Sequence, residues 1–115
     1  MAGNNFIPLT VILDRQTATT AVPQVINCYN TARDVSVTFT SEGTTSAGAL
    51  VIEESDQSPY TGTWSQIGAT VNASAFTGGA KQVIHVRLGA GIFLKVRIAT
   101  TITGGGTVTV TVTGS

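Results

Sequence analysis

Side chains that could carry chemistry are few in this 115-residue chain, and His85 is its single histidine. A catalytic histidine needs a nucleophile and an orienting carboxylate within hydrogen-bond reach. The sequence contains no GxSxG or comparable nucleophile motif. His85 instead alternates with Arg87 along a strand-like run, which indicates a polar outer face. We therefore predict no catalytic residue and no enzymatic activity.

The glycine triplet Gly104 to Gly106 is a second candidate, because glycine-rich loops can cradle phosphates. A phosphate loop also needs a Lys-Ser/Thr pair at the start of a helix. Here Thr107 follows the triplet directly and begins the alternating run TVTVTVT. The prediction is therefore the tight turn of a terminal hairpin, with 92–102 pairing with 107–113 through glycines that tolerate positive φ.

Metal binding has weak candidates. The acidic residues Glu53, Glu54 and Asp56 could offer oxygens to Ca²⁺, but their spacing differs from that of an EF-hand loop. We expect a solvated loop or salt bridges to the second half instead. Cys28 is the single cysteine, which excludes an internal disulfide or a cysteine-based metal site, and its apolar surroundings predict a buried thiol. We predict no metal and no cofactor.

Two aromatic residues, Tyr60 and Trp64, flank a short turn in SPYTGTWSQ. Aromatic rings exposed on a β-sandwich can stack on sugar rings, and a lectin-like site is one hypothesis for this pair. A sandwich also commonly buries a large aromatic side chain. Core packing is the favoured interpretation for Trp64.

The charge pattern restricts the partners. Six Lys and Arg balance six Asp and Glu, and charged residues make up 10% of the chain, against about a quarter in typical soluble domains. Zero net charge argues against nucleic-acid binding, which needs an excess of cations. All six acids lie in 1–56 and four of the six bases in 57–115, so we expect the halves to pair within one fold.

The elements that must position these residues are strands. Apolar and polar residues alternate in DVSVTFTS, KQVIHVRL, IFLKVRIAT and TVTVTVT, whereas helical spacing is almost absent. Strict alternation indicates antiparallel sheets with one buried face. Seven to nine short strands predict an all-β fold, a single antiparallel β-sandwich of jelly-roll-like type over 1–115, with essentially no helix.

The N-terminus predicts neither export nor membrane insertion. MAGNNFIPLTVIL lacks a positive leading region, and no apolar run is long enough to span a membrane. We expect synthesis in a cytoplasm, no membrane partner, and an extended N-terminal arm over 1–10.

Three motifs follow one another in the second half: TGTWSQIG, then VIHVRLGAGIFLKVRIAT, then TITGGGTVTVTVTGS. Over 49–115 the chain thereby resembles the small β-sandwich virion proteins of tailed bacteriophages. A GTW strand, a basic alternating strand and a Gly-rich turn into a Thr/Val terminal strand recur in that family. Residues 1–48 share only a general β character with it.

The resemblance implies a structural protein of the virion, made in the host cytoplasm and carried on the capsid surface. Its expected role is that of a capsid decoration or cement protein that binds and stabilises the major capsid shell. The expected partners are the major capsid protein and copies of the chain itself, with a trimer as the expected homo-oligomer. The alternative is a glycan- or receptor-binding module of a phage fibre or tail, with Tyr60 and Trp64 as contacts.

Overall fold

The computed structural model describes residues 7–28, 34–55, 63–88 and 93–114. These ranges contain eight strands and one short 3-10 segment, Ala73–Gly79, which is kinked at residues 76–78. Apolar and polar residues alternate most clearly in the strands of 34–55, 63–88 and 93–114. The strands are β1 (Ile7–Gln16), β2 (Ile26–Asn27), β3 (Asp34–Glu42), β4 (Ala47–Ser55), β5 (Ser65–Asn72), β6 (Lys81–Arg87), β7 (Phe93–Thr103) and β8 (Thr107–Gly114).

The strands form two four-stranded sheets in which every pairing is antiparallel. Sheet A has the order β1-β8-β3-β6, and sheet B has the order β2-β7-β4-β5. This is the order of an eight-stranded jelly roll, in which most connections cross from one sheet to the other. The predicted all-β antiparallel sandwich is confirmed.

The core lies between the sheets and consists of the apolar residues that alternate along the strands. The predicted inward residues of β3 (Val35, Val37, Phe39) and of β8 (Val108, Val110, Val112) are all buried. Leu94, Val96 and Ile98 of β7 are buried as well, and Cys28 is fully buried as predicted. Period-two alternation therefore identified the buried face of these strands correctly.

The predicted terminal hairpin is wrong. β7 belongs to sheet B and β8 to sheet A, so the glycine triplet carries the chain from one sheet to the other. β6 and β7, which look like neighbours in the sequence, also lie in different sheets. Among the described strands, β4 and β5 are the one pair that is adjacent both in sequence and in a sheet.

The glycine triplet packs against the connection between β3 and β4. Gly104 and Gly105 have φ values of +112° and +98°, which favour glycine. The Gly106 N–H donates to the Thr44 carbonyl at 2.7 Å, and the Ser46 N–H donates to the Thr103 carbonyl at 2.9 Å. The triplet is thus a structural crossing that is fixed by backbone hydrogen bonds.

The 3-10 helix Ala73–Gly79 closes one end of the core, and the sequence pattern did not predict it. Phe76 is buried against Phe39, with ring centroids 5.7 Å apart. The buried hydroxyls of Ser41 and Thr45 donate to the carbonyls of Phe76 and Ala73. These bonds satisfy polar groups that would otherwise be buried without partners.

Residues 7–10 of the predicted N-terminal arm belong to β1, in which Ile7 is paired with Gly114 and Thr10 with Val112. Residues 1–6 lie outside the described part of the chain. β1 is an edge strand with three register irregularities. Such irregularities and an edge Pro8 are common means of limiting pairing with other chains.

Candidate functional site

His85 lies on the outer face of β6 and is exposed, as its alternation with Arg87 predicted. The register of sheet A places Ser36 of β3 directly opposite His85. The Ser36 hydroxyl oxygen and His85 Nδ1 are 2.8 Å apart, which is a hydrogen bond whose donor depends on the imidazole tautomer. The next pair of opposed residues on the same face of these two strands, which we call the next row, is Asp34 and Arg87.

A concave site of about 450 Å³ opens at this end of sheet A. We call it the corner site, and it is lined by Asp34, Val35, Ser36, His85, Val86, Arg87, Thr113 and Gly114. The Asp34 carboxylate lies 3.8 Å from Arg87 Nε, and both side chains are more than half exposed. Carboxylate, guanidinium, imidazole and hydroxyl groups thus meet at one end of the sheet.

The order of groups in the corner site differs from that of a catalytic triad. In a catalytic triad, the carboxylate orients the imidazole that activates the nucleophile. Here the register puts Asp34 opposite Arg87, one row away from the Ser36–His85 pair. The site offers several hydrogen-bond donors and acceptors to a polar ligand.

The sequence pattern identified His85 and Arg87 as outward-facing but missed Asp34, Ser36 and Thr113 as their neighbours. Ser36 and His85 are 49 positions apart, and no local motif links them. The one available signal was that two alternating runs each put polar residues on their outer face. Nothing in either run specifies that β3 pairs with β6.

A second cluster lies on the outer face of sheet B, centred on Glu53. The Glu53 carboxylate accepts from Arg97 Nε at 3.0 Å and lies 3.7 Å from Lys95 Nζ. Lys95 Nζ also lies 4.3 Å from the ring centroid of Trp64, within the range of a cation–π contact. We call these four residues the Glu53 cluster.

The Glu53 cluster changes the interpretation of Trp64. Its ring is half-buried against Lys95, a residue of the outer face, and Trp64 is absent from the core between the sheets. Core packing of Trp64, the favoured interpretation, is therefore wrong. Lys95 already covers one face of the ring on which a sugar would stack. Tyr60, the other predicted glycan contact, lies outside the described residues.

Glu53, one of the three acidic residues considered for Ca²⁺, has structural partners. Glu53 is engaged by two cations, Glu54 is half-buried on β4, and Asp56 lies outside the described residues. Within the described ranges, no three or more His, Cys, Asp or Glu side chains are grouped so that they could hold a metal ion. The expected pairing between the two halves is confirmed by Glu53 with Lys95 and Arg97, and by Asp34 with Arg87.

The outer face of sheet A carries hydroxyls in register. Thr38 lies opposite Thr111 and Thr40 opposite Thr109 across β3 and β8. The Thr38–Thr111 row continues to Val11 of β1 and to Val83 of β6. Both valines are exposed by more than 40%. We call this surface the hydroxyl face, defined by Val11, Thr38, Thr40, Val83, Thr109 and Thr111.

Comparisons of the chain with protein-family models, with curated proteins and with solved structures gave no match. In the part of the chain that the structure describes, no helix has the length and apolar character needed to cross a membrane.

Proposed function

We propose that this chain is a structural, non-enzymatic protein of a bacteriophage virion, a capsid decoration or cement protein that binds and stabilises the major capsid shell. The sequence resemblance over 49–115 to small virion proteins of tailed bacteriophages supports an origin among phage structural proteins. The fold is compatible, since jelly rolls occur in viral capsid and lectin domains, although a fold alone does not determine function. The hydroxyl face is the observation that carries the proposal.

The hydroxyl face has the composition of an interface. Its six residues combine methyl groups and short hydroxyls and carry no charge. The cores of protein interfaces are depleted in charged residues and are surrounded by polar rims. Around the hydroxyl face the charges lie at the margins, with Lys81 at one end of β6 and Arg87 at the other.

Two partners follow from the proposal. The major capsid protein is the primary partner, and copies of this chain are the second, with the trimer that the resemblance implies. Short hydroxyl side chains lose little conformational entropy on contact, so a flat, uncharged face can bind without ordering long side chains. The chain would be located on the capsid surface after synthesis in the host cytoplasm.

The test uses particles of the encoding phage that lack this protein. Such particles should lose infectivity at a lower temperature than complete particles, and added purified protein should restore the heat resistance. Thr38→Arg, which places a long cation at the centre of the hydroxyl face, should abolish rebinding. Ala69→Arg on the exposed edge strand β5 is the matched control and should rebind.

Equal heat resistance of complete and deficient particles would contradict the cement role. Rebinding of Thr38→Arg with unchanged affinity would instead show that another surface contacts the capsid. The alternative glycan-binding module, with Tyr60 and Trp64 as contacts, stays a prediction, and the cover of Trp64 by Lys95 counts against it.

A further inference from the structure

The corner site has the size of a small-ligand site and is lined mainly by polar residues. Its volume of about 450 Å³ falls within the usual range of roughly 300–1,000 Å³ for such sites. Two adjacent rows of β3 and β6 supply one carboxylate, one guanidinium, one imidazole and one hydroxyl. Thr113 of β8, opposite Ser36, adds a second hydroxyl, which donates to the Ile7 carbonyl at 3.0 Å and whose oxygen can accept from a ligand.

The polar groups of the corner site are only partly used by their own contacts. The Asp34–Arg87 contact joins one carboxylate oxygen to Nε at 3.8 Å, which is longer than a hydrogen bond. The two side chains are 67% and 79% exposed, and the structure gives them no other ion pair or hydrogen bond among the described residues. The second carboxylate oxygen and the terminal guanidinium nitrogens therefore have bonding capacity for a ligand.

The charges of the site select the class of ligand. An anion drawn to Arg87 would also lie next to the Asp34 carboxylate, and a cation drawn to Asp34 would lie next to the guanidinium. A ligand hydroxyl can donate to the carboxylate and accept from the guanidinium at the same time. Several neighbouring hydroxyls on an uncharged ligand match this alternation of acceptors and donors best.

We propose that the corner site binds an uncharged saccharide. Asp34 and Arg87 hold adjacent sugar hydroxyls, and the Ser36–His85 pair contacts a third. Val35 and Val86 form the pair between these two rows and face the core, so the proposed contacts to the sugar are polar. The site is formed by side chains of one chain and shares no residue with the hydroxyl face, so the inference does not depend on the proposed capsid role.

The test uses the free full-length protein and a panel of neutral oligosaccharides built from glucose, galactose, mannose or N-acetylglucosamine. Ligand-observed NMR should show saturable binding of at least one neutral saccharide, and its uronic-acid counterpart should bind at least tenfold more weakly. Asp34→Ala and Arg87→Ala should each lower the affinity at least tenfold. Both residues are exposed, and unchanged circular dichroism and urea midpoints would establish that the variants fold.

Lys81→Ala is the matched control, because Lys81 lies on the same strand and the same face at the far end of β6. It should bind like the unmodified chain. The inference is overturned if no neutral saccharide saturates, if the uronic acid binds more tightly, or if Asp34→Ala and Arg87→Ala bind normally. Loss of binding in Trp64→Ala with retention in Arg87→Ala would also overturn it and would favour the Tyr60–Trp64 hypothesis.

Discussion

Glu53 is the one charged side chain among the buried residues that the structure describes. Its position on the outward side of β4 would ordinarily leave it in water. Instead Lys95 and Arg97 from β7 converge on one of its carboxylate oxygens. A buried charge is tolerated when it is paired and hydrogen-bonded, so Glu53 fastens β4 to β7.

Glu53→Gln keeps the size of the side chain but removes its charge. The substitution leaves two cations facing a neutral amide. We expect the free energy of unfolding to fall by about 2 kcal/mol, which is less than the cost of breaking a fully buried ion pair because Arg97 is partly exposed. Urea unfolding measures the change. Asp14→Asn is the control, since the exposed Asp14–Arg15 pair should contribute less than about 0.5 kcal/mol. Equal losses in the two variants would contradict the role given to Glu53.

Glycine is required at Gly105 and at Gly106 for different physical reasons. Gly105 needs its positive φ, but a Cβ there would meet nothing within 4 Å. A Cβ on Gly106 would lie 2.5 Å from the Glu42 carbonyl oxygen and 2.6 Å from that of Thr44. Gly106 is thus required by the close approach of two chain segments rather than by its dihedral angles.

Alanine substitutions separate these two reasons. Gly105→Ala should cost about 1–2 kcal/mol of unfolding free energy through backbone strain alone. Gly106→Ala should cost at least about 3 kcal/mol, because the obstacle is backbone that must move. Thermal or urea unfolding of the two variants gives the comparison, and a larger loss in Gly105→Ala would show that the crossing packs differently.

At the scale of elements, β8 holds sheet A together. It lies between β1 and β3, and its three valines face the core while its threonines face outward. A run of this composition with no charge and no proline would be an aggregation hazard if it were exposed. Pairing on both sides removes that hazard within the chain.

Val110→Asp and Thr111→Asp place the same charge on the two faces of β8. Val110 is fully buried, so an unpaired carboxylate there should cost more than about 4 kcal/mol and prevent folding. Thr111 points outward, and its substitution should change unfolding free energy by less than about 1 kcal/mol. Solubility and circular dichroism at 25 °C distinguish the two. A folded Val110→Asp variant would refute the inward assignment.

Strands were predictable from the sequence because alternation is a local property. The inward residues of β3, β7 and β8 follow from it directly. The assignment of strands to sheets depends on contacts between residues that are distant in the sequence. A glycine triplet is equally compatible with a hairpin and with a crossing between sheets, and the crossing occurs here. The short β2 and the 3-10 segment Ala73–Gly79 are too short or too irregular to show a period in the sequence. Tertiary contacts hold them instead: β2 pairs with β7, and Phe76 packs against Phe39.

Much less of the candidate sites could be predicted. The corner site exists because β3 pairs with β6 in one register, which brings Ser36 to His85 and Asp34 to Arg87. A shift of one residue would turn these side chains to the other face. Charge counting did predict pairing between the halves, but not that Glu53 would be the residue that gathers two cations.

At the scale of the whole molecule, the first and last described strands are partners. β1 pairs with β8, and Ile7 lies opposite Gly114, so the two ends of the described fold are adjacent. This pairing closes a loop of about the entire chain, and long-range pairing of this kind slows folding. The sheet that carries the hydroxyl face and the corner site is therefore completed by one of the most distant contacts in the sequence.

A circular permutant tests this dependence. Joining residue 115 to residue 1 and opening the chain between the exposed Thr19 and Thr20 makes β8 and β1 consecutive strands. The same sandwich should form. Because the loop that closes the β1–β8 pair becomes much shorter, refolding should be at least about threefold faster. Stopped-flow fluorescence of Trp64 measures the refolding rate. Val110→Asp in the permutant should still prevent folding. A permutant that folds at the original rate would show that β1–β8 pairing forms after the rate-limiting step, and one that does not fold would contradict the adjacency of the two ends.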